Sequence, residues 1–571
     1  MLTAPPSISV LNFTPTKKLL PSPVDWRDQF IYFLLVDRFD DNQPHPAYQA
    51  EASASVDDPN QGRLFQGGKI KGITRRLDYI QELGCTTIWL SPIFKNRIDK
   101  QDSYHGYGVQ DFLEVDPRFG TLEDLQELTS EAHSRGMYVI QDVIFNHTGD
   151  VWSYPGEFPY YYFQGQRFPF GHWREHDPRA NLQREDGVWP LELQDPEVFK
   201  RKGEIRNWGD DRQALDGDFL SLKELDLQQP KVLDTLIQAY KSWIINADID
   251  GFRIDTVKHM EHTAVAIFCN AIREYAQRIG KQNFFLFGEI VDDDQTIQKY
   301  IGRNTRMESS NERFPSLDAA LDFPLYFDLE DVIKGFKTPD VLRHRYDRFH
   351  TQYSDHGAAS RYFVTFIDNH DQMARPYRRF MHNNPNKQQA VLAMAYLLTS
   401  LGIPCIYYGT EQGFDGGGDN DSYVRECMFG GQWGAFNSKG AHFFNQEHDI
   451  YKGLQAIAQL RKNEPALRYG RQYFREISGN GSDFGHPQSG QCTLAYSRIL
   501  DTEELLIALN LTDQVREDYI TVDKNLSSSG NEMINLLNSN AEMLKVQNTS
   551  DNRANVQVKL SPYEVAILKV G

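Results

Sequence analysis

Short apolar segments alternate with longer amphipathic segments along the first part of the chain. Residues 29–37 (QFIYFLLVD), 85–90 (CTTIWL) and 137–143 (MYVIQDV) are apolar and rich in β-branched or aromatic side chains. Between them, 73–83 (ITRRLDYIQEL) and 122–136 (LEDLQELTSEAHSRG) carry apolar residues at helical spacing. This rhythm predicts parallel strands joined by crossover helices.

Five further apolar segments continue the rhythm and bring the number of predicted strands to eight. They are 248–255 (DIDGFRID), 284–289 (FFLFGE), 321–327 (LDFPLYF), 362–368 (YFVTFID) and 403–408 (IPCIYY). Eight parallel strands close into a barrel, so the predicted fold class is α/β, a (β/α)8 TIM barrel.

One uncharged stretch, 388–410, is long enough to raise the question of a membrane span. Gly402 and Pro404 interrupt it. Because proline breaks a helix, the stretch is better explained as a buried helix followed by a barrel strand. We therefore predict no membrane-spanning segment here.

Two parts of the chain depart from the barrel rhythm. Residues 148–220, between the third and fourth strands, are too long for a simple crossover and are rich in aromatic residues, proline and glycine, which indicates an inserted subdomain. After about residue 466 short alternating strands predict a C-terminal all-β sandwich. The predicted division is an N-terminal extension at 1–28, a barrel at 29–147 and 221–466, the insertion at 148–220, and the C-terminal domain at 467–571.

Composition narrows the classes of partner. The 571 residues carry a formal net charge of −19, which argues against nucleic acid or an anionic membrane as partner. The five cysteines are odd in number and show no C-x-x-C spacing, so neither a disulfide framework nor a zinc site is expected. The N-terminus has no basic segment followed by an apolar one, and we expect a cytoplasmic protein.

Three predicted strands each end in an acid: Asp255, Glu289 and Asp371. Parallel α/β folds place active sites at this end of their strands. Arg253 lies two residues before Asp255, so both side chains point to the same side of a strand. The guanidinium should then keep Asp255 ionised, although a structural ion pair at a strand end would explain this pair alone equally well.

Several ordered motifs carry a family resemblance. They are 104–107 (YHGY), 142–147 (DVIFNH), 251–259 (GFRIDTVKH), 288–290 (GEI), 366–371 (FIDNHD), 402–412 (GIPCIYYGTEQ) and the pair Asp421 and Arg425. Together they resemble the α-amylase family of glycoside hydrolases and transglycosylases, from about residue 29 to 466. The resemblance implies fold and catalytic type, and leaves product specificity open.

The resemblance implies a role for each acid. Asp255 would attack the anomeric carbon, Glu289 would protonate the leaving oxygen and then activate water, and Asp371 would stabilise the transition state. Two carboxyls held about 5–5.5 Å apart retain the configuration of the sugar. Asp142 would orient Arg253, and Glu289 needs a raised pKa, for which the neighbouring negative acids are one candidate cause.

The resemblance also implies a set of substrate-binding residues. They are His105, Tyr107, His147, Arg253, Lys258, His259, His370, Asp421 and Arg425. The two histidines His147 and His370 would bond sugar hydroxyls, and Tyr107 would stack on the ring. Asp421 and Arg425 could instead belong to a flexible turn. The pair Lys258 and His259, usually absent from α-1,6-glucosidases and sucrose-cleaving members, favours α-1,4-glucans.

Seven of the aromatic residues in the insertion are candidates either to pack in a small subdomain or to stack on sugars. Packing is the simpler explanation, because aromatic side chains carry much of any small core. They are Trp152, Tyr154, Tyr160, Tyr161, Tyr162, Trp173 and Trp189.

Calcium is the candidate metal, and no organic cofactor is expected. By resemblance the side chain of Asn146, the carbonyl of His259 and an acid at Glu224 would hold the ion, as hard oxygen ligands suit calcium. The usual LPDL motif reads LKEL at 222–225, so either Glu224 replaces the aspartate or Lys223 marks a reduced site. A second calcium loop at 37–42 faces Lys69, whose ammonium could substitute for the ion.

Three functions follow in order of preference. The first is retaining hydrolysis of α-1,4-glucosidic bonds in starch, glycogen or maltooligosaccharides. The second is a transglycosylase, a glucanotransferase or cyclodextrin-active enzyme, on the same substrates. The third is an inactive carbohydrate-binding scaffold, which the presence of all three acids disfavours. The C-terminal domain is expected to be a structural cap, with glucan binding as the alternative, and the oligomeric state is left open.

Overall fold

The structure is a computed structural model of the 571-residue chain. It describes residues 6–156, 159–174, 182–302, 305–306, 313–314, 316–352, 362–372, 377–538, 540–550 and 552–571. The first five residues of the predicted N-terminal extension therefore lie outside the described residues.

Eight parallel strands form the predicted barrel. In chain order they are Ile31–Leu34, Thr87–Leu90, Tyr138–Val143, Gly251–Ile254, Phe285–Gly288, Ala319–Ala320, Val364–Thr365 and Ile403–Tyr407. Neighbours in sequence are neighbours in the sheet, and the eighth strand pairs with the first. A parallel bridge from Leu321 to Val364 joins the sixth and seventh strands and closes the barrel. The predicted fold class is confirmed.

Helices cover the outside of the barrel. Those of ten or more residues are Leu122–Ser134, Pro230–Ala247, His262–Arg278, Phe323–Ile333, Asp340–Gln352, Lys387–Thr399 and Asp449–Asn463. Shorter ones lie at Ile70–Arg75, Leu77–Glu82 and Pro465–Tyr469. Thr121 begins Leu122–Ser134 with a capping box shared with Asp124, which satisfies two free N–H groups of the first turn.

The uncharged stretch divides as predicted. Lys387–Thr399 is a helix whose side chains are buried from Gln389 onward, and Ile403–Tyr407 is the fully buried eighth strand. Among the described residues no helix has the length and apolar character that a membrane span requires.

The sixth strand is shorter and earlier than predicted. Its residues are Ala319–Ala320, whereas most of the predicted segment 321–327 forms the start of helix Phe323–Ile333. Asp322 caps that helix by accepting a hydrogen bond from the N–H of Leu325, at 3.1 Å. Pro324 lies in the first turn, where its missing N–H is tolerated, whereas a central strand needs that donor.

The insertion is built around aromatic side chains. Trp152 is fully buried, with ring centroids 4.7 Å from Tyr154 and 5.2 Å from Phe170. Trp173 and Trp189 are also buried. Packing is therefore the role that the structure gives to Trp152, Trp173 and Trp189. The elements of this region are Trp152–Ser153 paired with His172–Trp173, His147–Thr148 paired with Lys223–Glu224, and helix Asp211–Asp216.

The C-terminal part is an antiparallel sheet folded on itself. Its strands are Arg471–Phe474, Ile477–Ser478, Thr493–Leu500, Glu503–Asn510, Arg516–Thr521, Glu532–Asn535, Leu544–Asn548, Ala554–Leu560 and Val565–Val570. A separate apolar cluster joins Leu506 and Ala508 to Val556 and Val558, on strands that are not neighbours in the sheet. The two halves thus pack face to face, which confirms the predicted sandwich.

The N-terminal segment packs against the barrel near the start of the fifth strand. The ring of Trp26 stacks on Phe285 with centroids 4.9 Å apart, and its Nε1 donates to the carbonyl of Asn283. The five cysteines are all buried and none forms a disulfide.

Candidate active site

The barrel register brings the first two acids together. The fourth strand lies between the third and fifth, with Arg253 opposite Asp142. Asp255 and Glu289 each follow the last residue of their strand, and the N–H of Glu289 donates to the carbonyl of Ile254, 2.9 Å away. Adjacent strands therefore deliver both carboxyls to the same end of the barrel.

Arg253 is shared by three carboxyl groups. Its Nη1 lies 2.7 Å from Asp255 Oδ1 and 2.8 Å from Asp142 Oδ1, and its Nη2 lies 2.9 Å from Glu289 Oε1. The side chain of Arg253 is fully buried. This one guanidinium fixes the relative positions of Asp255 and Glu289, and Asp142 holds the guanidinium, as expected from the motif.

Two aromatic side chains hold Asp142 in turn. The hydroxyl of Tyr107 donates to Asp142 Oδ2 at 2.9 Å, and Nε1 of Trp89 donates to the same oxygen at 3.3 Å. Trp89 was not singled out in the sequence. The available signal was its place near the end of the second predicted strand, on the side that faces the barrel interior.

The third acid stands on a loop ordered by its own side chains. Asn369 Oδ1 accepts hydrogen bonds from the N–H groups of Asp371 and Gln372, at 2.9 and 2.6 Å. Arg425 Nη2 lies 2.9 Å from Asp371 Oδ1, and its Nε donates to the carbonyl of His370. Asn369 was missed as a positioning residue, although it lies inside the matched motif.

Asp421 and Arg425 belong to an ordered pair. Asp421 Oδ2 lies 2.7 Å from Arg425 Nη1, which also donates to the hydroxyl of Tyr104 at 3.2 Å. The guanidinium thereby joins Asp421 to Asp371. The alternative of an unstructured turn does not describe this segment, which is a short 3-10 helix at Asp421–Val424.

Three histidines surround Tyr107. His105 Nδ1 accepts from the N–H of Tyr107, so its Nε2 carries the ring hydrogen. The rings of Tyr107 and His370 lie nearly parallel, 5.3 Å apart. His147 is buried, and neither of its ring nitrogens has a hydrogen-bond partner among the described residues. Burial lowers the pKa of His147 and of His370 to about 3, so both rings are neutral near pH 7.

Burial governs the protonation of the acids. It raises the pKa of Glu289 to about 8, against the lowering effect of Arg253 and with help from Asp255 and Asp371. The negative neighbours thus act in the expected direction, but burial is the larger cause. Glu289 is therefore mostly protonated at pH 7, as a general acid requires.

The pKa values of Asp255 and Asp371 shift in opposite directions, although both carboxyls belong to the same site. Burial raises the pKa of Asp255 to about 7, and although Arg253 lowers it as expected, the guanidinium does not outweigh burial. Burial acts on Asp371 too, but His370 and Arg425 outweigh it and lower its pKa. Because the ring of His370 is neutral near pH 7, we attribute the lowering to Arg425.

His259 contacts the insertion, whereas Lys258 pairs with an acid in the loop that follows the fifth strand. Lys258 Nζ is 2.6 Å from Asp292 Oδ2, and Nδ1 of His259 donates to the carbonyl of Ala214. Next to His259 stands Trp208, with ring centroids 5.9 Å apart. Trp208 is 43% exposed and is a third residue that the sequence analysis missed.

The residues implied for calcium do not fit a metal ion. Asn146 Nδ2 donates to Glu224 Oε2, and the other carboxylate oxygen of Glu224 lies 3.9 Å from the ammonium of Lys200. Within the part of the chain that the structure describes, no three His, Cys, Asp or Glu side chains are grouped to hold a metal. An ammonium beside the main ligand disfavours a divalent cation.

The second implied calcium loop is also satisfied without a metal. The carboxylate of Asp37 accepts from the N–H groups of Gln66 and Gly67 and pairs with Nε of Arg38 at 3.0 Å. The ammonium of Lys69 donates to the carbonyl of Arg118. These donors supply the loop with the positive charge that a metal would bring.

Known proteins with similar sequences agree with this geometry. A family model described as the alpha amylase catalytic domain matches residues 33–470. The chain belongs to the α-amylase family. An α-amylase of Streptomyces lividans is 33% identical over 460 residues, which cover 73% of this chain and 48% of that protein. A cyclomaltodextrin glucanotransferase of Klebsiella oxytoca is 27% identical over 562 residues, covering 92% and 77%.

The fold is shared over nearly the whole chain. The crystal structure of the α-amylase of Geobacillus thermoleovorans in complex with acarbose superposes with a TM-score of 0.69 at 28% identity, covering 96% of this chain and 99% of that one. The chain spans about half the length of the Streptomyces relative.

Proposed function

We propose that the protein hydrolyses α-1,4-glucosidic bonds of starch, glycogen or maltooligosaccharides with retention of configuration. The observation that carries the proposal is the sharing of Arg253 between Asp255 and Glu289, which places a nucleophile and an acid on adjacent strands. Retaining glycosidases need two carboxyls close together, one ionised and one protonated. The higher pKa of Glu289 assigns the proton to it.

The reaction uses these groups in two steps. In the first, Asp255 forms a bond to the anomeric carbon while the bond to the leaving sugar breaks, and the proton of Glu289 passes to the leaving oxygen. In the second, the carboxylate of Glu289 takes a proton from water, the water oxygen bonds to the anomeric carbon, and Asp255 is released. Both groups end in their starting protonation states.

The third acid fits the stabilisation of the transition state. Asp371 is held anionic beside Arg425 and is more exposed than Asp255 or Glu289. A carboxylate at this position can accept hydrogen bonds from sugar hydroxyls and stabilise the positive charge that develops on the ring. The neutral rings of His147 and His370 can exchange hydrogen bonds with hydroxyls on the same sugar.

The relatives support an α-glucan as substrate. The Geobacillus structure holds acarbose, and other family members of this length are named α-amylases or cyclomaltodextrin glucanotransferases. Trp208 offers an exposed face beside His259, one of the residues that the resemblance assigns to substrate binding. An aromatic face of this kind stacks on a sugar ring and positions either a leaving or an incoming chain.

The second candidate function is transglycosylation on the same substrates. It is favoured by the Klebsiella glucanotransferase, which covers nearly all of this chain. In that case another sugar rather than water would take the glycosyl group from Asp255. The inactive scaffold remains disfavoured, because all three acids reach the site.

Incubation with maltoheptaose distinguishes these functions. We expect shorter maltooligosaccharides whose new reducing ends are α-anomers by proton NMR at early times. Formation of rings, or of chains longer than seven units, would show transglycosylation instead of hydrolysis. New reducing ends that are β-anomers would contradict retention. Asp255→Asn should lower kcat by several orders of magnitude. Asp347→Asn, at a carboxylate that is 64% exposed and pairs with Arg343 on the helix Asp340–Gln352, is the matched control and should remain active.

A further inference from the structure

A lysine stands at the junction of insertion and barrel where the family resemblance places a calcium ion. We propose that the ammonium of Lys200 serves as the cation of this junction, so that the insertion is held to the barrel without calcium. The proposal concerns stability and does not depend on the proposed reaction.

The ammonium contacts three separate elements. Lys200 Nζ donates to the carbonyl of Leu215 in the insertion, and lies 3.4 Å from Glu261 Oε1 and 3.9 Å from Glu224 Oε1. Glu224 is on the segment that returns to the barrel, and Glu261 precedes the first residue of helix His262–Arg278. One positive charge therefore joins the insertion to two parts of the barrel.

The backbone fixes the lysine in this position. The N–H of Lys200 donates to the carbonyl of Glu224 at 3.0 Å, and the N–H of Asp226 donates to the carbonyl of Val198 at 2.7 Å. The side chain of Lys200 is only 4% exposed. Because the backbone is paired and the side chain is buried, the ammonium cannot move into solvent without opening the junction.

The same site offers oxygen atoms of the kind that calcium binds, but an ammonium already stands among them. Calcium takes six to eight oxygen ligands at about 2.3–2.6 Å. Around Lys200, three buried oxygens lack a hydrogen-bond partner among the described residues: Asn146 Oδ1, Glu224 Oε1 and Glu261 Oε2. A divalent ion bound to the two carboxylates would lie within a few ångströms of the ammonium, and two positive charges so close in a buried place repel strongly.

Replacing Lys200 by a neutral residue should allow calcium to bind at this site. Without the ammonium, the buried carboxylate of Glu224, the partly buried carboxylate of Glu261 and an amide oxygen would lose their positive partner, which is costly. These are hard oxygen ligands of the kind that calcium binds. The vacated space should therefore accept a calcium ion, together with water, in place of the ammonium.

Thermal unfolding of the wild-type protein is the first test and needs no variant. We expect the same Tm in EDTA, in buffer and in millimolar CaCl2, and no calcium by elemental analysis of protein purified without added metal. A Tm that falls in EDTA and is restored by CaCl2 would overturn the proposal, since the junction would then hold a resident metal.

The second test compares Lys200→Ala with Lys202→Ala in EDTA and in CaCl2. Lys202 is a matched control because it lies two residues away and pairs with Asp216 at 2.6 Å while remaining 25% exposed. We expect Lys200→Ala to lower Tm by about 5 °C or more in EDTA and to regain most of the loss in CaCl2. Lys202→Ala should change Tm little and not respond to calcium.

Two outcomes of the second test would contradict the proposal. An unchanged Tm for Lys200→Ala would show that the ammonium does not hold the junction. A lowered Tm that calcium does not restore would show that the ammonium does not stand in for a cation. If Lys200→Ala does not fold, the wild-type measurement decides alone.

Discussion

At the residue scale, the acids of the site differ in charge because their surroundings differ. Asp255 and Glu289 share Arg253, and burial raises the pKa of both, to about 7 and about 8. Asp371 has the guanidinium of Arg425 beside it, which keeps its pKa low. The order of the three pKa values follows the order of the roles proposed for them: a permanent anion, a nucleophile and an acid.

The first prediction concerns Glu289→Gln and a substrate with a good leaving group, α-maltosyl fluoride. Fluoride needs no proton from Glu289, so the variant should still form the glycosyl-enzyme and release a burst of fluoride. Since Asp255 attacks as an anion, the burst rate should rise with pH through about 7 and then stay level. Stopped-flow detection of fluoride measures this rate.

The wild-type enzyme provides the comparison for this prediction. With maltoheptaose its kcat/KM should rise through about pH 7 and fall again above about pH 8, because Glu289 must be protonated to act as an acid. The falling limb should be absent from the burst rate of Glu289→Gln. A burst rate that does not change between pH 5 and 9 would show that Asp255 does not titrate in this range.

The sequence could predict which acids meet, because each ends an apolar strand and parallel strands end at one rim. It could not predict their pKa values, since burial depends on the whole barrel. The supporting contacts of Trp89 and Asn369 were missed for different reasons. Trp89 reaches Asp142 from another strand, whereas Asn369 acts through its own loop turn, which the motif contained but periodicity does not report.

At the element scale, the positions of the strand ends were predicted less accurately than the presence of the strands. The sixth strand was placed on an apolar segment that begins a helix, because apolar content alone does not separate a buried strand from a buried helix. The cap at Asp322 and the first-turn proline at Pro324 carried the correct signal. The insertion could be located by its length and composition, but the contacts of Lys200 join residues far apart in sequence and had no local signal.

The second prediction concerns the end of the fifth strand. A Cβ added at Gly288 would lie 2.6 Å from Leu317 Cδ1 and 2.8 Å from Val257 Cγ2, so either these side chains or the strand end must shift. Gly288→Ala should destabilise the protein by about 1–3 kcal/mol. Because Glu289 follows directly, kcat should fall by roughly tenfold to a hundredfold.

Urea unfolding and steady-state kinetics measure the two effects of Gly288→Ala. Gly479→Ala is the matched control, since its added Cβ would meet no atom within 4 Å. It should leave kcat unchanged. Full activity of Gly288→Ala would show that Glu289 does not depend on the position of this strand end.

The third prediction concerns a charged cluster at the start of the fourth strand. His133 Nε2 lies 2.8 Å from Asp250, and Lys281 Nζ lies 2.7 Å from Asp248 and 2.6 Å from Asp250. Burial opposes a charge on His133, but the hydrogen bonds with Asp248 and Asp250 outweigh burial and raise its pKa from 6.5 to about 9. This shift corresponds to roughly 3 kcal/mol of stability.

The sign of the pH effect follows from the raised pKa. The contribution of His133 is fully present below pH 6.5 and is lost as pH rises through about 9. The free energy of unfolding should therefore decrease between these values, and His133→Gln should be less stable at pH 6 with a flatter pH dependence. His344→Gln, at a side chain that is 56% exposed, should keep the wild-type slope. Equal slopes for all three proteins would contradict the prediction.

At the scale of the whole molecule, the barrel and the C-terminal sandwich share one core. Leu494, Tyr496 and Ile507 of the sandwich belong to the same apolar cluster as the barrel residues. Arg498 is fully buried and donates to the carbonyls of Thr399 and Gly470. The sequence predicted two domains from a change in strand pattern, but a shared core arises only in the folded chain. This contact supports the expectation of a structural cap.

The fourth prediction tests that shared core with Tyr496→Ala. The hydroxyl of Tyr496 is hydrogen-bonded to Thr399 Oγ1 at 2.6 Å, and its ring packs edge-on against Tyr396 of helix Lys387–Thr399. Removing a buried aromatic ring leaves a cavity, at a cost of about 3–5 kcal/mol, while the Thr399 hydroxyl keeps its hydrogen bond to the carbonyl of Ala395. Because both parts lose the contact, calorimetry should show one transition at lower temperature, and hydrolytic activity should be lost over the same range.

The matched control is Tyr473→Ala, which removes a tyrosine that is 40% exposed on the first strand of the same sheet. It should change the transition temperature little, since an exposed ring contributes little buried area. A Tyr496→Ala protein whose transition divides into two, with barrel unfolding and activity loss at the wild-type temperature, would contradict the shared core. The sandwich would then be an appended domain, because the barrel would keep its stability after the contact between them is lost.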